Sequence, residues 1–471
     1  MKSVPCEAIG TPGLAARGPW WVAGLAAGLL ALATSPAGAQ QSTPAQPQGA
    51  APVSDIDASE IDVGLPDSVE QGHTQMDTSF TPQERRERIR FQRRKAFEDT
   101  KFDAEIRSFE LNRTKFDDSQ IGAWAIGGSA GARTGYFRDL FFIGVTGYTS
   151  QPLWAPEDKD GTLLLAPGQE HYTVLGEYYG EFKLHQDVRL DVGAKGIDTP
   201  YLNRNDNRMT PQTFTQVTML GTAGGGAEGT LAFGAGYFDK EKGRNSDEFV
   251  NMGRIAGASV DRGVYTAGVN YKASDWTLGF IDYYSADLIN IAYAEAKYTL
   301  VLANERNVKF AAQYSDQRST GENLLTGGSF STDQFGIKAE YAAGRALFTT
   351  AWTATGKGDA IRAPWSSHPG YTSIQVQDFD RAGEDAFMLR AAYNPEPVPG
   401  LGLYVLWVKG SQPRDPAQFA QQETDLNAQW TPPSGNLKGL MVRLRYAHVR
   451  QDNDTTTNDF RFMVYYTFQK L

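Results

Sequence analysis

Hydrophobic and polar residues alternate one by one along the chain from about residue 101 onward, in runs that turn residues interrupt. In one such run, Val442, Leu444 and Tyr446 share a face, and Arg443 and Arg445 share the other. A period of two is that of a β-strand whose faces meet different surroundings. About 18 such runs fit before the C-terminus, with roughly 21 residues for each strand and its connection. The pattern therefore predicts one long all-β domain over 101–471.

The chemistry of the two faces decides which all-β fold to expect. Aromatic and aliphatic residues recur on one face of nearly every run and charged residues on the other, as in 188–195 and 460–468. A closed barrel of about 18 strands is too wide for side chains to fill, so water and the charged face occupy the interior. The apolar face must then look outward into lipid, and closure removes the strand edges that hydrocarbon does not tolerate. We expect an all-β fold, a transmembrane antiparallel β-barrel of about 18 strands.

The overall composition narrows the alternatives. Mean hydropathy is −0.43, and a helical membrane protein would need spans of about 20 apolar residues, which do not occur after residue 39. The formal net charge is −10, which argues against nucleic acid as a partner because phosphate binding needs a basic surface. The five histidines show no metal-ligand spacing. We expect neither a metal nor a cofactor.

The N-terminus has the pattern of an export signal. Lys2 and Arg17 precede an apolar run over 20–33, and an Ala-Gly-Ala sequence ends at residue 39. These features predict a signal peptide over 1–39; the alternative, a membrane anchor, would need a longer apolar run. Cys6, the single cysteine, lies inside this segment. The exported chain would have no thiol, which excludes disulfides and cysteine-ligated metals.

Two further segments precede the predicted barrel. Residues 40–80 are rich in Gln, Pro, Ala and Ser and predict a flexible periplasmic segment. The strongly basic residues 81–98 predict a short helix, with Thr81 as N-cap and Pro82 at the first helical position. This basic helix is either simply solvated or in contact with anionic headgroups or cell-wall polymer.

Four stretches of the chain resemble the OprD family of Gram-negative outer-membrane porins, in the family's order. The second of them contains the segment R-x-x-P-Q-T-F, the third contains R-A-G-E, and the fourth is the terminal hairpin. The stretches are 106–113, 206–214, 368–373 with 378–384, and 437–447 with 458–461. Each motif is weak alone, but all four in the family's order make a strong signal, and the resemblance extends across most of the barrel.

The resemblance implies an 18-stranded barrel that works as a monomeric channel, narrowed by constriction loops folded into the lumen. It also implies a track of basic side chains that leads the carboxylates of amino acids or small organic acids, including aromatic ones, to the constriction. Two features depart from the family. The segment 40–100 is longer than the usual mature N-terminus, and the chain ends on Leu471, with Phe468 as the nearest aromatic residue.

Six arginines are candidates for the basic track because they alternate toward the predicted lumen. An arginine grips a carboxylate with two parallel hydrogen bonds and keeps its charge, and weak sites in series let a solute pass without being trapped. The alternative is that the arginines pair with lumen acids such as Asp191, Glu340 or Asp425. The candidates are Arg443, Arg445, Arg390, Arg461, Arg189 and Arg107.

Two loops, 196–211 and 355–385, are the predicted constriction. An acid that faces basic groups across a narrow gap would orient a zwitterion or screen its charge. The alternative is that the loop tyrosines and aspartates only satisfy the loop backbone. The candidate residues are Tyr201, Arg204, Arg208, Tyr371, Asp378, Asp380 and Arg381.

We therefore expect a porin of the outer membrane, exported through the periplasm, that works as a monomer and passes small anionic or zwitterionic solutes. An alternative is a plugged barrel that tethers the envelope through its basic N-terminal segment. Ser366, His368 and Asp378 could be drawn as a catalytic triad, but such residues are common in loops and we expect no enzyme activity. Deleting residues 40–100 separates porin from tether, since only a tether would lose cell-wall binding.

Overall fold

The computed structural model describes residues 82–303 and 306–468, so the predicted signal peptide (1–39) and the predicted flexible segment (40–80) lie outside the described residues. Nineteen strands follow one another along the described chain. They are β1 (Lys101–Thr114), β2 (Gln120–Arg133), β3 (Phe141–Trp154), β4 (Tyr172–His185), β5 (Val188–Lys195), β6 (Thr213–Gly224), β7 (Thr230–Lys242), β8 (Phe249–Asn251), β9 (Val264–Lys272), β10 (Trp276–Ser285), β11 (Ile289–Val301), β12 (Arg306–Ser319), β13 (Ser331–Ala343), β14 (Ala346–Thr355), β15 (Asp385–Tyr393), β16 (Leu401–Gly410), β17 (Gln421–Trp430), β18 (Leu440–Gln451) and β19 (Thr456–Thr467).

Eighteen of these strands form one closed antiparallel barrel. Each pairs with its neighbours in the chain, β7 pairs directly with β9, and β19 pairs with β1 from Glu105↔Thr467 to Thr114↔Asn458. The three-residue β8 pairs only with the end of β7 and belongs to the loop between β7 and β9. The predicted barrel of about 18 strands is confirmed.

The two rims of the barrel differ in the length of their connections. The rim at the start of β1 has short connections such as 186–187 and 344–345, whereas the opposite rim has long loops, including 196–212, 243–263 and 356–384. Outer-membrane barrels have short turns on the periplasmic side and long loops outside. The rim at the start of β1 is therefore the periplasmic rim.

Side chains alternate between lipid and lumen as the period of two predicts. Leu444 and Tyr446 are 44% and 38% exposed on the outer surface, while Arg443 and Arg445, which alternate with them, point inward. The same alternation puts Phe387 and Leu389 outside and Arg390 inside. The outer surface is apolar because it faces hydrocarbon, and the inner surface carries the charges.

Two α-helices are present among the described residues. Helix α1 (Pro82–Glu98) lies within the 81–98 segment for which the sequence predicts a short basic helix, and α2 (Met252–Ile255) is a single turn in the 243–263 loop. In the described part of the chain, no helix is long and apolar enough to cross a membrane.

A hydrophobic cluster holds the 196–212 loop and the 356–384 loop inside the barrel. Tyr201 and Trp365 from the two loops pack with Phe214, Tyr283 and Tyr293 from the wall, and each is nearly or fully buried. Burial of large aromatic rings supplies most of the stabilisation of such a contact. These side chains therefore form a hydrophobic core inside the lumen, at the level of the two loops.

Candidate functional site

The 196–212 loop and the 356–384 loop are bonded to each other at their centres. The backbone N–H of Asn203 donates to Ser366 Oγ (2.9 Å), and Ser367 Oγ donates to Asn203 Oδ1 (3.0 Å). Gln212 Nε2 donates to the carbonyl of Trp365 (2.8 Å), and both groups are buried. The two loops form a single constriction element.

The 196–212 loop reaches across the lumen to β1. Arg107 holds Asp206 with two parallel hydrogen bonds, of 2.5 Å from Nη1 and 2.8 Å from Nη2. Arg107 Nη1 also donates to the carbonyl of Arg208 (3.1 Å), and the guanidinium lies 4.8 Å from the centre of the Tyr465 ring. A bidentate arginine–carboxylate pair fixes orientation as well as distance. The predicted track residue Arg107 thus anchors the loop.

The 356–384 loop is anchored to β19 through one buried carboxylate. Asp459 accepts hydrogen bonds from Arg113 Nε (2.7 Å), Arg461 Nε (2.6 Å) and Gln375 Nε2 (2.7 Å). Arg461 Nη2 also donates to the carbonyl of Gln375 (2.8 Å). Asp459 is 0% exposed and Arg461 is 3% exposed, so this ion pair is buried. The predicted track residue Arg461 is an ion-paired anchor for the loop.

Arg208 is a buried cation with neutral oxygen partners. Its Nε donates to the carbonyl of Thr162 (2.9 Å), and its Nη1 donates to the carbonyl (2.8 Å) and side-chain oxygen (3.1 Å) of Asn207. The residue is 8% exposed, and none of the described carboxylates forms an ion pair with it. A buried positive charge with no negative partner is uncompensated, and a nearby anion would stabilise it.

Other arginines surround Arg208. Burial first, and then the positive charges of Arg461, Arg244 and Arg113, lower the pKa of Arg208 well below its ordinary value. Burial and the charge of Arg461 lower the pKa of Arg244 to about 10. We call this group the constriction cluster, and its members are Arg107, Arg113, Arg208, Arg244, Arg461, Asp206 and Asp459.

Three other predicted track residues come together on the wall. The guanidinium of Arg390 lies 4.4 Å from the centre of the Tyr404 ring, and Arg445 Nη2 donates to the hydroxyl of Tyr404 (3.2 Å). Arg443 Nε donates to Asn427 Oδ1 (2.7 Å). We call Arg390, Tyr404, Asn427, Arg443 and Arg445 the wall group.

The wall group continues into the constriction cluster. Arg445 of β18 stands opposite Arg461 of β19 in the strand register. The sequence left open that the track arginines pair with lumen acids, and Arg445 does interact electrostatically with Asp425 of β17. Inward arginines therefore occur on β15, β18, β19 and β1, and Tyr404 of β16 contacts both Arg390 and Arg445.

Two predicted arginines lie apart from these residues. Arg189 sits near the periplasmic end of β5, 3.8 Å from Glu181. Arg204 forms an ion pair with Asp198 inside its own loop. Neither belongs to the constriction cluster or the wall group.

The other predicted loop residues support the loops from within. Tyr201 donates its hydroxyl to Ser315 Oγ (2.8 Å), and Tyr371 donates its hydroxyl to Glu295 (2.7 Å). Both rings are buried, at 0% and 5% exposed, which leaves them almost no surface toward the lumen.

The acidic and basic residues near the end of the 356–384 loop are also engaged locally. Asp378 accepts from Ser373 Oγ (2.5 Å), and Arg381 forms an ion pair with Glu384 (2.5 Å). Burial, followed by repulsion from Asp378 and Glu384, raises the pKa of Asp380 to about 7. Asp380 can therefore change charge near neutral pH.

The drawn triad of Ser366, His368 and Asp378 is not connected by hydrogen bonds among the described residues. Ser366 bonds to the backbone of Asn203, and His368 Nδ1 accepts from the N–H of Gly370 (3.3 Å). Burial lowers the pKa of His368 to about 4. This geometry lacks the base–nucleophile bond that a triad needs.

Several residues of the site were not among the sequence candidates. Arg113 and Asp459 share the inward faces of Arg107 and Arg461, so alternation alone could have included them. On the opposite wall, Lys338 Nζ lies 4.9 Å from the centre of the Tyr371 ring, and Lys297 Nζ lies 3.1 Å from Glu295. Both lysines lie beside carboxylates, because Lys338 Nζ is also 3.8 Å from Glu340.

Comparison with known proteins gives consistent matches. A family model described as outer membrane porin, OprD family, matches residues 95–470. Porin D of Pseudomonas aeruginosa is 24% identical over 424 residues, 78% of this chain and 90% of its own. The crystal structure of OccK9 (OpdG) from Pseudomonas aeruginosa has a TM-score of 0.72 and 23% identity, and covers 80% of this chain and 100% of its own. OpdK of Pseudomonas aeruginosa, solved with vanillate, has a TM-score of 0.68 and 21% identity, and covers 79% and 99%.

Proposed function

Because the chain belongs to the OprD family of outer-membrane porins, we propose that its lumen passes small solutes that carry a carboxylate, such as amino acids or aromatic acids. The predicted resemblance to this family is confirmed by the match over residues 95–470, and the protein is an outer-membrane transport channel. The selectivity for carboxylates and the role of the arginines are our proposal. We also propose that the signal peptide over 1–39 directs export of the protein through the periplasm.

The observation that carries the proposal is the imbalance of charge in the constriction cluster. Its seven side chains contain five arginines and two aspartates, and Glu105, which forms an ion pair with Arg107, adds a third carboxylate, so the arginines exceed the carboxylates by two. Arg208 keeps only neutral partners among the described residues, beside other guanidinium groups that repel it. Arg113 and Arg244, two of the arginines that repel Arg208, are partly exposed, and a carboxylate that binds to them would relieve this repulsion, since opposite charges attract most strongly where water is scarce.

The wall group supplies the approach to that position. Arg443 and Arg445 are partly exposed to the lumen; Arg443 bonds to Asn427, and Arg445 bonds to Tyr404 and interacts electrostatically with Asp425. The bonds to Asn427 and Tyr404 can be exchanged for bonds to a solute carboxylate, because one hydrogen bond then replaces another. Successive weak sites of this kind let an anion move along the wall without being trapped.

An aromatic acid is the first solute to test. OpdK was solved with vanillate, which is a small aromatic carboxylate, and its fold matches that of this chain. The partly exposed ring of Tyr465 lies against Arg107 in this lumen, so aromatic surface accompanies the positive charge. A ring beside a guanidinium group would favour an aromatic anion over an aliphatic one of equal size.

Single-channel recording of the refolded protein in planar bilayers under a salt gradient tests the proposal. We expect an anion-selective reversal potential and block by vanillate or benzoate. The double variant Arg443→Ala/Arg445→Ala should weaken the block roughly tenfold, as expected for the loss of charge-assisted hydrogen bonds. The matched control Arg306→Ala/Arg345→Ala removes two exposed arginines at the periplasmic rim and should leave the block unchanged.

Two results would count against the proposal. A folded barrel that prefers cations, or one whose block is the same in both double variants, would show that the inward arginines do not select the solute. Complete absence of conductance from a folded barrel would favour the tether alternative. In that case, deletion of residues 40–100 should abolish binding to cell-wall preparations.

A further inference from the structure

Helix α1 is fixed at the periplasmic rim of the barrel, directly before β1. The family match begins at residue 95, so most of this helix precedes the part of the chain that resembles the family. Only two residues, Asp99 and Thr100, separate the helix from β1. The helix therefore stays where the barrel meets the periplasmic leaflet of the membrane.

The last turn of α1 is docked on the connection between β2 and β3. The N–H of Gly135 donates to the carbonyl of Ala96 (2.8 Å), and Ala96 is only 1% exposed. A Cβ at Gly135 would lie 2.6 Å from Asp99 Cβ, so the close approach requires glycine. Phe97 packs edge-on against Phe137, with ring centroids 5.5 Å apart.

Phe97 continues a row of phenylalanines on the lipid-facing surface. Phe137 stacks on Phe141 (5.3 Å), and Phe141 stacks on Phe182 (5.6 Å) across the β3–β4 pair. Phe182 is 39% exposed on the outer face of β4. Phe97 itself is 65% exposed, which is unusual for a large apolar side chain in water but ordinary for one in a membrane interface.

Three arginines lie on the same face of α1 as Phe97. Arg86, Arg90, Arg93 and Phe97 follow one another at intervals of four, three and four residues, which one face of an α-helix repeats. All three arginines are exposed. Arg88 and Lys95 lie on the opposite face and are exposed too.

The charge of this segment is opposite to that of the whole chain. Residues 82–98 contain seven arginines or lysines and three glutamates, a net charge of +4, whereas the chain as a whole has −10. A basic segment held at a membrane surface is attracted to anionic lipid, and each arginine or lysine near the surface adds to the attraction.

We propose that α1 is an interfacial anchor that binds the phosphates of anionic phospholipids in the periplasmic leaflet through Arg86, Arg90 and Arg93. Phe97 joins the apolar band of the barrel and sets which face of the helix meets the headgroups. Two observations favour lipid over cell-wall polymer. The arginine face is the face of Phe97, and Phe97 is continuous with the lipid-facing phenylalanines.

Hydrogen–deuterium exchange of the full-length protein in vesicles tests this inference. The two vesicle compositions are phosphatidylethanolamine alone and phosphatidylethanolamine with phosphatidylglycerol at three to one. We expect amides 86–98 to exchange roughly tenfold more slowly with phosphatidylglycerol present. The variant Arg90→Gln/Arg93→Gln should lose this lipid dependence, and the matched control Arg88→Gln/Lys95→Gln, with the same loss of charge on the opposite face, should keep most of it.

The ratio between the two vesicle types is the measured quantity, so a variant that merely loosens the helix is distinguished from one that loses lipid binding. Equal exchange in both vesicle types would overturn the proposal. An equal effect of the two double variants would also overturn it, because lipid binding would then depend on the net charge of the helix and not on which face carries the arginines. Protection of 86–98 by added peptidoglycan sacculi, with no response to phosphatidylglycerol, would assign the helix to the cell wall instead.

Discussion

Replacement of Asp459 by asparagine is the perturbation that tests the central anchor of the constriction most directly. This one carboxylate is 0% exposed and accepts hydrogen bonds from Arg113, Arg461 and Gln375 at 2.6–2.7 Å. Asparagine has nearly the same shape but no charge. The substitution leaves two arginines without their counter-charge and removes one of the bonds that tie the 356–384 loop to β19.

The expected cost follows from the burial of the pair. Removing one partner of a buried ion pair costs about 3–5 kcal/mol, because the remaining charge is left uncompensated. The asparagine oxygen keeps one acceptor, so the lower end applies. We expect Asp459→Asn to lose about 3 kcal/mol of the free energy of unfolding, roughly a hundredfold in the unfolding equilibrium constant.

Unfolding by guanidinium chloride in detergent micelles, followed by tryptophan fluorescence, measures this loss of free energy of unfolding. The matched control is Asp454→Asn, which breaks the Arg450–Asp454 pair (2.5 Å) at the surface, where the aspartate side chain is 79% exposed. A surface pair contributes little, so the control should leave the midpoint unchanged. Equal losses in both variants would refute the view that burial makes Asp459 the anchor.

Two further predictions concern the loops. Because the pKa of Asp380 is raised from 3.8 to about 7, its ionisation favours the unfolded state, and the free energy of unfolding falls as the pH rises between these values. Asp380→Asn should therefore raise the unfolding midpoint at pH 8 and leave it unchanged at pH 3. A variant whose midpoint falls with rising pH as steeply as that of the wild type would contradict this. Tyr201→Phe removes the buried bond to Ser315 and should cost about 1 kcal/mol in the same unfolding assay, and a variant as stable as the wild type would exclude that bond as a support of the 196–212 loop.

The sequence by itself determined the class of the fold, the approximate number of barrel strands and the face on which the alternating side chains lie. These properties depend on neighbours two residues apart, as in the alternation of Val442, Arg443 and Leu444, and a strand repeats every two residues whatever it pairs with. The inward direction of Arg390, Arg443 and Arg445 was therefore within reach of the sequence.

Only the tertiary structure decided which charges meet. Arg107 and Asp206 are 99 residues apart, and Arg113 and Asp459 are 346 residues apart. Their contacts depend on barrel closure and on the path of two long loops, and loop conformation is set by packing against the wall and not by a local repeat. For that reason Arg107 and Arg461, which alternation placed correctly in the lumen, proved to be anchors that hold the constriction together.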